Sequence, residues 1–349
     1  MHRSNVQTHT HSSILPLKGA PMNSSHNIIQ PTGLGEYGKL DALLSLLFPS
    51  TVYVQNSQNL NGHMHSLRLL KLSNGASLLL KGSPSTGTPL LRHERFCLET
   101  EARFLALIGQ SANPCIPQIY HYDPYGSPLG SSYSLRQYVK GTPLSVMACQ
   151  LTLQQRNGID RHLGFLAGTI GQNVAPAFGS LQQVAVGAGK SSWSDAFCAL
   201  FESVLRDSED MFINLPYGQI RDELSRLQSA LEEVILPRLV VVGLGRSSHV
   251  LLDDESKQLS GVIDFSSAFW GDILMAEVFE NPNPAVISGA GLPLDRTPGE
   301  TIRLLMYACY RLVSQITVQY YRNRDETKEF DARRRLTATI TKMMTMRPV

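Results

Sequence analysis

Charge is scarce in this 349-residue chain: only 17% of its residues are Asp, Glu, Lys or Arg, and 31 basic side chains against 29 acidic ones leave a formal charge of +2. Nucleic acid is held by a concentrated basic surface, and so even a balance gives no reason to expect it as a partner. The one dense basic cluster, Arg333, Arg334 and Arg335, lies in a C-terminal helical pattern and reads as a solvated helix face. Long apolar runs are missing too. Nothing approaches the roughly 18–20 residues that span a bilayer, so no membrane partner is expected. The first 30 or so residues are rich in Ser, His and Asn and have no apolar h-region. They read as a disordered polar tail over 1–36, not as a secretory signal. Cysteine is sparse: Cys97, Cys115, Cys149, Cys198 and Cys309 are odd in number, widely spaced and without metal-ligand spacing to histidine. That excludes a disulfide framework and points to reduced thiols and a cytoplasmic location.

What is present is 42% hydrophobic residues, over a length suited to two domains or one large two-lobed unit. A short amphipathic helix is predicted over 39–48 and strands over 52–54 and 66–72. Asn74-Gly75 between two apolar runs marks a hairpin, of type I′ with positive φ at both central residues, and the return strand covers 77–81. A helix follows over 93–108, stopped by Gly109, and then a strand over 132–139. From about Leu151 the periodicity is mostly helical: 152–173, 193–212, 217–235 and 298–346. Short strands interrupt it at 238–242, 250–253 and 259–265. This order predicts an α+β protein with a small β-rich lobe over 37–139 and a larger, mainly helical lobe over 140–349.

Four places could carry chemistry. Lys81 ends an apolar strand, where a lysine is ordinarily solvated. Glu101 falls in the apolar stripe of Leu98, Leu105 and Ile108, so it either reaches water at the stripe's edge or pairs with a buried cation, Lys81 being the obvious one. Asp264 closes the apolar strand Gly261-Val262-Ile263, where an aspartate either caps a following helix or offers oxygens to a divalent cation. Gly243-Leu244-Gly245 follows a strand, as in a dinucleotide fingerprint. The motif needs a helix after the glycines, and Val250-Leu251-Leu252 is β-like instead.

In order, from about Tyr37 to Met306, these segments resemble the aminoglycoside phosphotransferase and choline-kinase-like family, most nearly its broad fungal group, whose members share the two-lobed protein-kinase-like fold. Leu79-Leu80-Lys81 looks like that family's phosphate-contacting lysine strand, and Glu101-Ala102 falls where its lysine-pairing glutamate lies. The segment from Gln137 to Leu144 resembles the hinge, usually Glu-Tyr-x-x-Gly-x-x-Leu, with Gln137 in place of the acid. Phe178-Gly179-Ser180-Leu181 is similar to the loop after the following helix. The segment from Gly261 to Phe265 resembles the Gly-Val-Ile-Asp-Phe strand whose aspartate binds magnesium, and Asp272 has a structural counterpart. The resemblance implies ATP and Mg2+ as cofactors, a small-molecule acceptor hydroxyl, nucleotide contacts at Lys81, Glu101, Gln137 and Val139, and metal contacts at Asp264 and His249. Phosphoryl transfer suits such a set, because its loose transition state asks mainly for positioning and charge neutralisation.

The family's catalytic loop reads His-Gly-Asp, four further residues, then Asn or sometimes His. Anchored on the strand from Val250, Leu244 replaces the aspartate and His249 holds the second metal position; one residue earlier, Gly243 and Ser248 take those places. No Asp or Glu occurs between Glu233 and Asp253, so neither register supplies a base. Losing a general base costs about 10²–10⁴ in rate. His249 is either a ligand or structural, since Mg2+ favours oxygen over imidazole. The expected function is ATP-dependent phosphoryl transfer to a metabolite hydroxyl, slow or lost. The alternatives are a catalytically inactive kinase-fold module that binds or regulates, and an enzyme of another reaction type reusing the cleft. A polyamine such as an aminoglycoside would want an acidic cleft, which the composition does not show, so antibiotic resistance is not implied.

Overall fold

A computed structural model describes residues 36–62, 64–85, 87–109 and 113–349; apart from Glu36, the expected polar tail lies outside them. The chain opens with α1 (Glu36–Ser45), whose Leu40, Leu43 and Leu44 bury against the leucines of a sheet formed by the next segments. That sheet is antiparallel and five-stranded, in the order β1-β2-β3-β5-β4, from β1 (Val54–Leu60), β2 (His65–Leu72), β3 (Ser77–Pro84), β4 (Ile119–Asp123) and β5 (Tyr133–Gln137). β1 extends well past the 52–54 read from sequence, because Gln55-Asn56-Ser57-Gln58-Asn59 shows no apolar alternation. It is an edge strand held by backbone pairing to β2. The β2–β3 turn also differs from type I′. Gly75 alone is left-handed, at φ 84, and Leu72 N–H donates to Ala76 O at 2.9 Å, the three-residue form that ends in a left-handed glycine.

Between β3 and β4, a 3-10 turn (Arg92–Phe96) leads into α2 (Cys97–Ile108), which lays Leu98, Glu101, Leu105 and Ile108 inward. After β5 the chain becomes mainly helical. In order come β6 (Thr142–Pro143), α3 (Leu144–Met147), α4 (Leu153–Ile170), β7 (Gly179–Ser180), α5 (Leu181–Ala185), α6 (Trp193–Asp210), α7 (Tyr217–Arg226) and α8 (Ser229–Glu232). Strands β8 (Arg238–Val241), β9 (Val250–Leu252), β10 (Leu259–Val262) and β11 (Ala268–Gly271) precede α9 (Pro284–Ala290), α10 (Pro298–Tyr321) and α11 (Glu326–Thr345). These four strands join β6 and β7 in two small sheets, β10-β9-β6 and β7-β11-β8, so the segment that resembles a hinge leads directly into the strand pair around Asp264.

An aromatic cluster of Trp193, Phe197 and Phe201 from α6 with Tyr307 and Tyr310 from α10 fills the helical lobe; Phe197 and Tyr307 meet edge-on at 5.1 Å. Asp272 is structural: it accepts from Tyr307 Oη at 2.8 Å and from Arg303 Nε at 3.0 Å, and Tyr307 Oη in turn accepts from Trp193 Nε1 at 2.7 Å. The helical region read over 298–346 is two helices, since Asp325 caps α11 by accepting from Lys328 N–H, and Arg322 turns away to donate to Pro89 O at 2.6 Å. The arginine cluster is only partly a solvated face. Arg334 is exposed, but Arg333 donates to Asn214 O and Arg335 to Glu280. Among the described residues no helix is long and apolar enough to cross a membrane, and all five cysteines are free thiols.

Candidate functional site

Lys81 and Glu101 meet where the expected site residues converge. β3 presents Lys81 on the face covered by α2, and its Nζ donates to Glu101 Oε2 at 2.6 Å, with Lys81 7% and Glu101 1% exposed. Of the two roles open to Glu101, the paired one is realised. Burial alone would favour the neutral forms of both groups. Instead Glu101 and Asp264 hold the Lys81 ammonium above its ordinary pKa, while Lys81 and then Arg136 hold Glu101 below its own. Both shifts favour the ion pair.

Asp264 lies just beyond β10 in a left-handed conformation, φ 70, which a non-glycine residue adopts only under constraint. No helix follows it, so it does not cap one. Its Oδ1 accepts from Ser266 N–H at 3.1 Å and from Ser266 Oγ at 2.5 Å, and Oδ2 lies 3.6 Å from His249 Nε2. Burial would raise its pKa, but Lys81, His249 and the Ser266 hydrogen bonds bring it well below the usual carboxylate range. Next to it, Phe265 is fully buried and stacks on Phe104 of α2 at 4.6 Å, so the helix bearing Glu101 and the turn bearing Asp264 share one packing contact.

The loop between β8 and β9 is stitched to the same turn. Val242 N–H donates to Ser267 O at 3.2 Å and Gly243 N–H to Ser267 Oγ at 3.0 Å. Glu277 N–H reaches Val242 O and Val278 N–H reaches Leu244 O, each at 2.8 Å. Leu244 is 2% exposed in the hydrophobic core, so an acid there would be buried among hydrocarbon. Gly243 differs: a Cβ added to it would meet only Ser267 Oγ, at 3.4 Å. Gly245, at φ 102, carries the close approach, because a Cβ there would lie 2.8 Å from the Cα of Val278. Gly245→Ala is expected to lower stability by about 1–3 kcal/mol, read as a shifted urea midpoint; an unchanged midpoint would contradict this contact. After the glycines the chain turns into β9, not into a helix, as the sequence requires.

His249 is held by its backbone, N–H to Arg246 O at 2.8 Å and O from Ile263 N–H at 2.9 Å. Burial lowers its pKa despite Asp264, leaving a neutral imidazole; its Nδ1 is buried and has no hydrogen-bond partner among the described residues. Among the described residues no group of three or more His, Cys, Asp or Glu could hold a metal, so Asp264 and His249 offer two ligands at most. At the end of β5, Gln137 is exposed, and its N–H donates to Gln118 O at 2.8 Å. Tyr138 N–H donates to Ser77 O at 3.0 Å, and Val139 lies so close over Gly261 that a Cβ there would come within 2.6 Å of Val139 Cγ1. Sequence alone missed two participants. Arg136, 4% exposed beside Glu101, sits in a strand buried on both faces, and Ser267, which pins the loop, looks like any turn serine.

A five-stranded sheet over a buried lysine–glutamate pair, a strand-end aspartate and a helical second lobe define a two-lobed, protein-kinase-like α+β fold. Solved structures narrow this to the form of that fold seen in small-molecule phosphotransferases. A candidate fructosamine-3-kinase from Thermobifida fusca superposes with a TM-score of 0.61 at 17% identity, over 87% of this chain and 98% of that one. A thermostable mutant of the aminoglycoside phosphotransferase APH(4)-Ia, in ternary complex with AMP-PNP and hygromycin B, gives 0.58 at 16% identity, over 88% and 99%. The macrolide 2'-phosphotransferase MphH from Brachybacterium faecium gives 0.51 at 16% identity, over 86% and 98%. No family model and no curated protein matches the sequence.

Proposed function

We propose that the chain binds a magnesium–nucleoside triphosphate between its lobes and transfers phosphate slowly to a hydroxyl of a small metabolite. The observation that carries this is the buried Lys81–Glu101 pair, which shares its electrostatics with an ionised Asp264. An ammonium fixed by a buried carboxylate suits an anionic phosphate. Asp264 and the neutral imidazole of His249 suit a divalent cation, with Gln137 and Val139 on the base side and acceptor contacts from 140–349. Magnesium, when bound, supplies neutralisation of the phosphate charge. The chain's own residues hold and orient; the loop segment 234–252 carries no Asp or Glu to take a proton. We take Gly243 as the position of the missing acid, with His249 at the second metal position and the loop one residue longer than the family pattern.

Solved complexes of similar fold that hold nucleotide together with an antibiotic, hygromycin B in one and streptomycin in another, support the binding of a nucleotide and a small-molecule acceptor together. They do not extend to the antibiotic itself, because this chain lacks a marked acidic excess. The absence of an acid from the loop between Glu233 and Asp253 favours a second reading, a binder that does not transfer.

Mg-ATP at 100 times its dissociation constant should stabilise the protein by about 2.7 kcal/mol, read as a thermal shift. Lys81→Ala and Asp264→Asn should each abolish the shift. Its absence in the wild type at millimolar Mg-ATP would end both readings, whereas a shift without any ADP formation selects the binder.

A further inference from the structure

Arg136 is a buried cation that the phosphate-binding set does not use. Cross-strand pairing of Lys81 with Ser134 and of Leu79 with Arg136 puts Arg136 on the same sheet face as Lys81, under α2. Its Nε and Nη1 have no hydrogen-bond partner among the described residues, and neither has Glu101 Oε1. Those two orphans face each other: Arg136 Nε lies 3.7 Å from Glu101 Oε1, beyond the ~3.2 Å reach of a hydrogen bond, while Oε2 of the same carboxylate is taken by Lys81. Buried donors and acceptors are costly when unpaired, so the arrangement is one short movement from a better one.

We propose that Arg136 is a positioning residue which receives Glu101 when an anionic phosphate engages Lys81. As the ammonium turns toward phosphate, Oε1 closes onto Arg136 Nε. The buried carboxylate is then never left without a cation, and releasing Lys81 does not carry the full cost of stranding Glu101. The role rests on the nucleotide reading for its ligand, but it adds a specific requirement. The benefit of Arg136 must grow with the phosphate charge drawn to Lys81 and must not depend on the base.

The test is calorimetric titration of wild type, Arg136→Met and Arg136→Lys with AMP and with ATP, each with magnesium. Arg136→Met should weaken ATP about tenfold or more and AMP little, as expected for one charge-assisted hydrogen bond. Arg136→Lys, which keeps the charge and is the variant to rely on if the methionine one fails to fold, should recover most of the loss. In a Glu101→Gln background the methionine substitution should have almost no further effect, because its partner is gone. Equal losses for AMP and ATP, or no loss at all, would overturn the role while leaving nucleotide binding intact. A wild type that binds no ATP would instead remove the reading beneath it.

Discussion

Gly243→Asp is expected to raise ATP hydrolysis and phosphoryl transfer by about 10²–10⁴, the usual contribution of a general base. Water is an acceptor always present, so the gain can be read as ADP release without knowing the natural acceptor. The position is singled out by space. A Cβ at Gly243 meets nothing nearer than Ser267 Oγ at 3.4 Å, its φ lies outside the left-handed region, and its N–H is fixed by that same hydroxyl. Leu244→Asp is the matched contrast. It introduces the same acid one residue on, into a site 2% exposed in the core, and should yield no activity and a protein less stable by several kcal/mol, the cost of an unpaired buried acid. If Gly243→Asp kept the Mg-ATP thermal shift yet hydrolysed no faster, the loop's register would be wrong. If Leu244→Asp were the active one, the alignment on the strand from Val250 would be right after all.

The residues that were legible in the sequence are those that contradict their surroundings. Lys81 ends a run of leucines, Glu101 interrupts an apolar stripe, and Asp264 follows the apolar stretch Gly261-Val262-Ile263. Each is costly unless it is used, and the cost is visible in one dimension. The loop register is different. Sliding by one residue exchanges Gly243 for Leu244; both positions are buried, so neither hydrophobicity nor burial decides between them, and only the room for a Cβ at Gly243 favours one. Arg136 was illegible for the converse reason. In β5 both faces are buried, so no alternation marks the arginine as inward, and its partner lies on another element. Edge strand β1 and the break at Arg322 follow the same logic, being set by backbone pairing and by capping at Asp325, not by apolar period.

Glu101→Gln should cost about 3–5 kcal/mol of stability, the typical loss when one member of a buried ion pair is removed and its partner left uncompensated. Glutamine keeps the shape of the side chain, so the loss is one of charge. Lys81 and Arg136 would face each other across a neutral amide, with Asp264 left to offset the charge of Lys81. The pH dependence fixes the sign. Burial alone would raise the Glu101 pKa, but Lys81 and Arg136 hold it below the unfolded value, so its stabilisation is complete above that value, about 4.3. It is lost as pH falls through the lower folded value. Lys81 is raised in the folded state, so its share persists below its unfolded value of about 10.4 and is lost only at higher pH. Urea unfolding of wild type and variant should therefore show a constant gap between about pH 5 and pH 9 that closes on acidification, because the wild type loses what the variant never had. A gap below about 1 kcal/mol, or one that persists unchanged to pH 2, would mean that Glu101 does not carry its charge in the folded protein, and the phosphate-binding role proposed for Lys81 would lose its anchor.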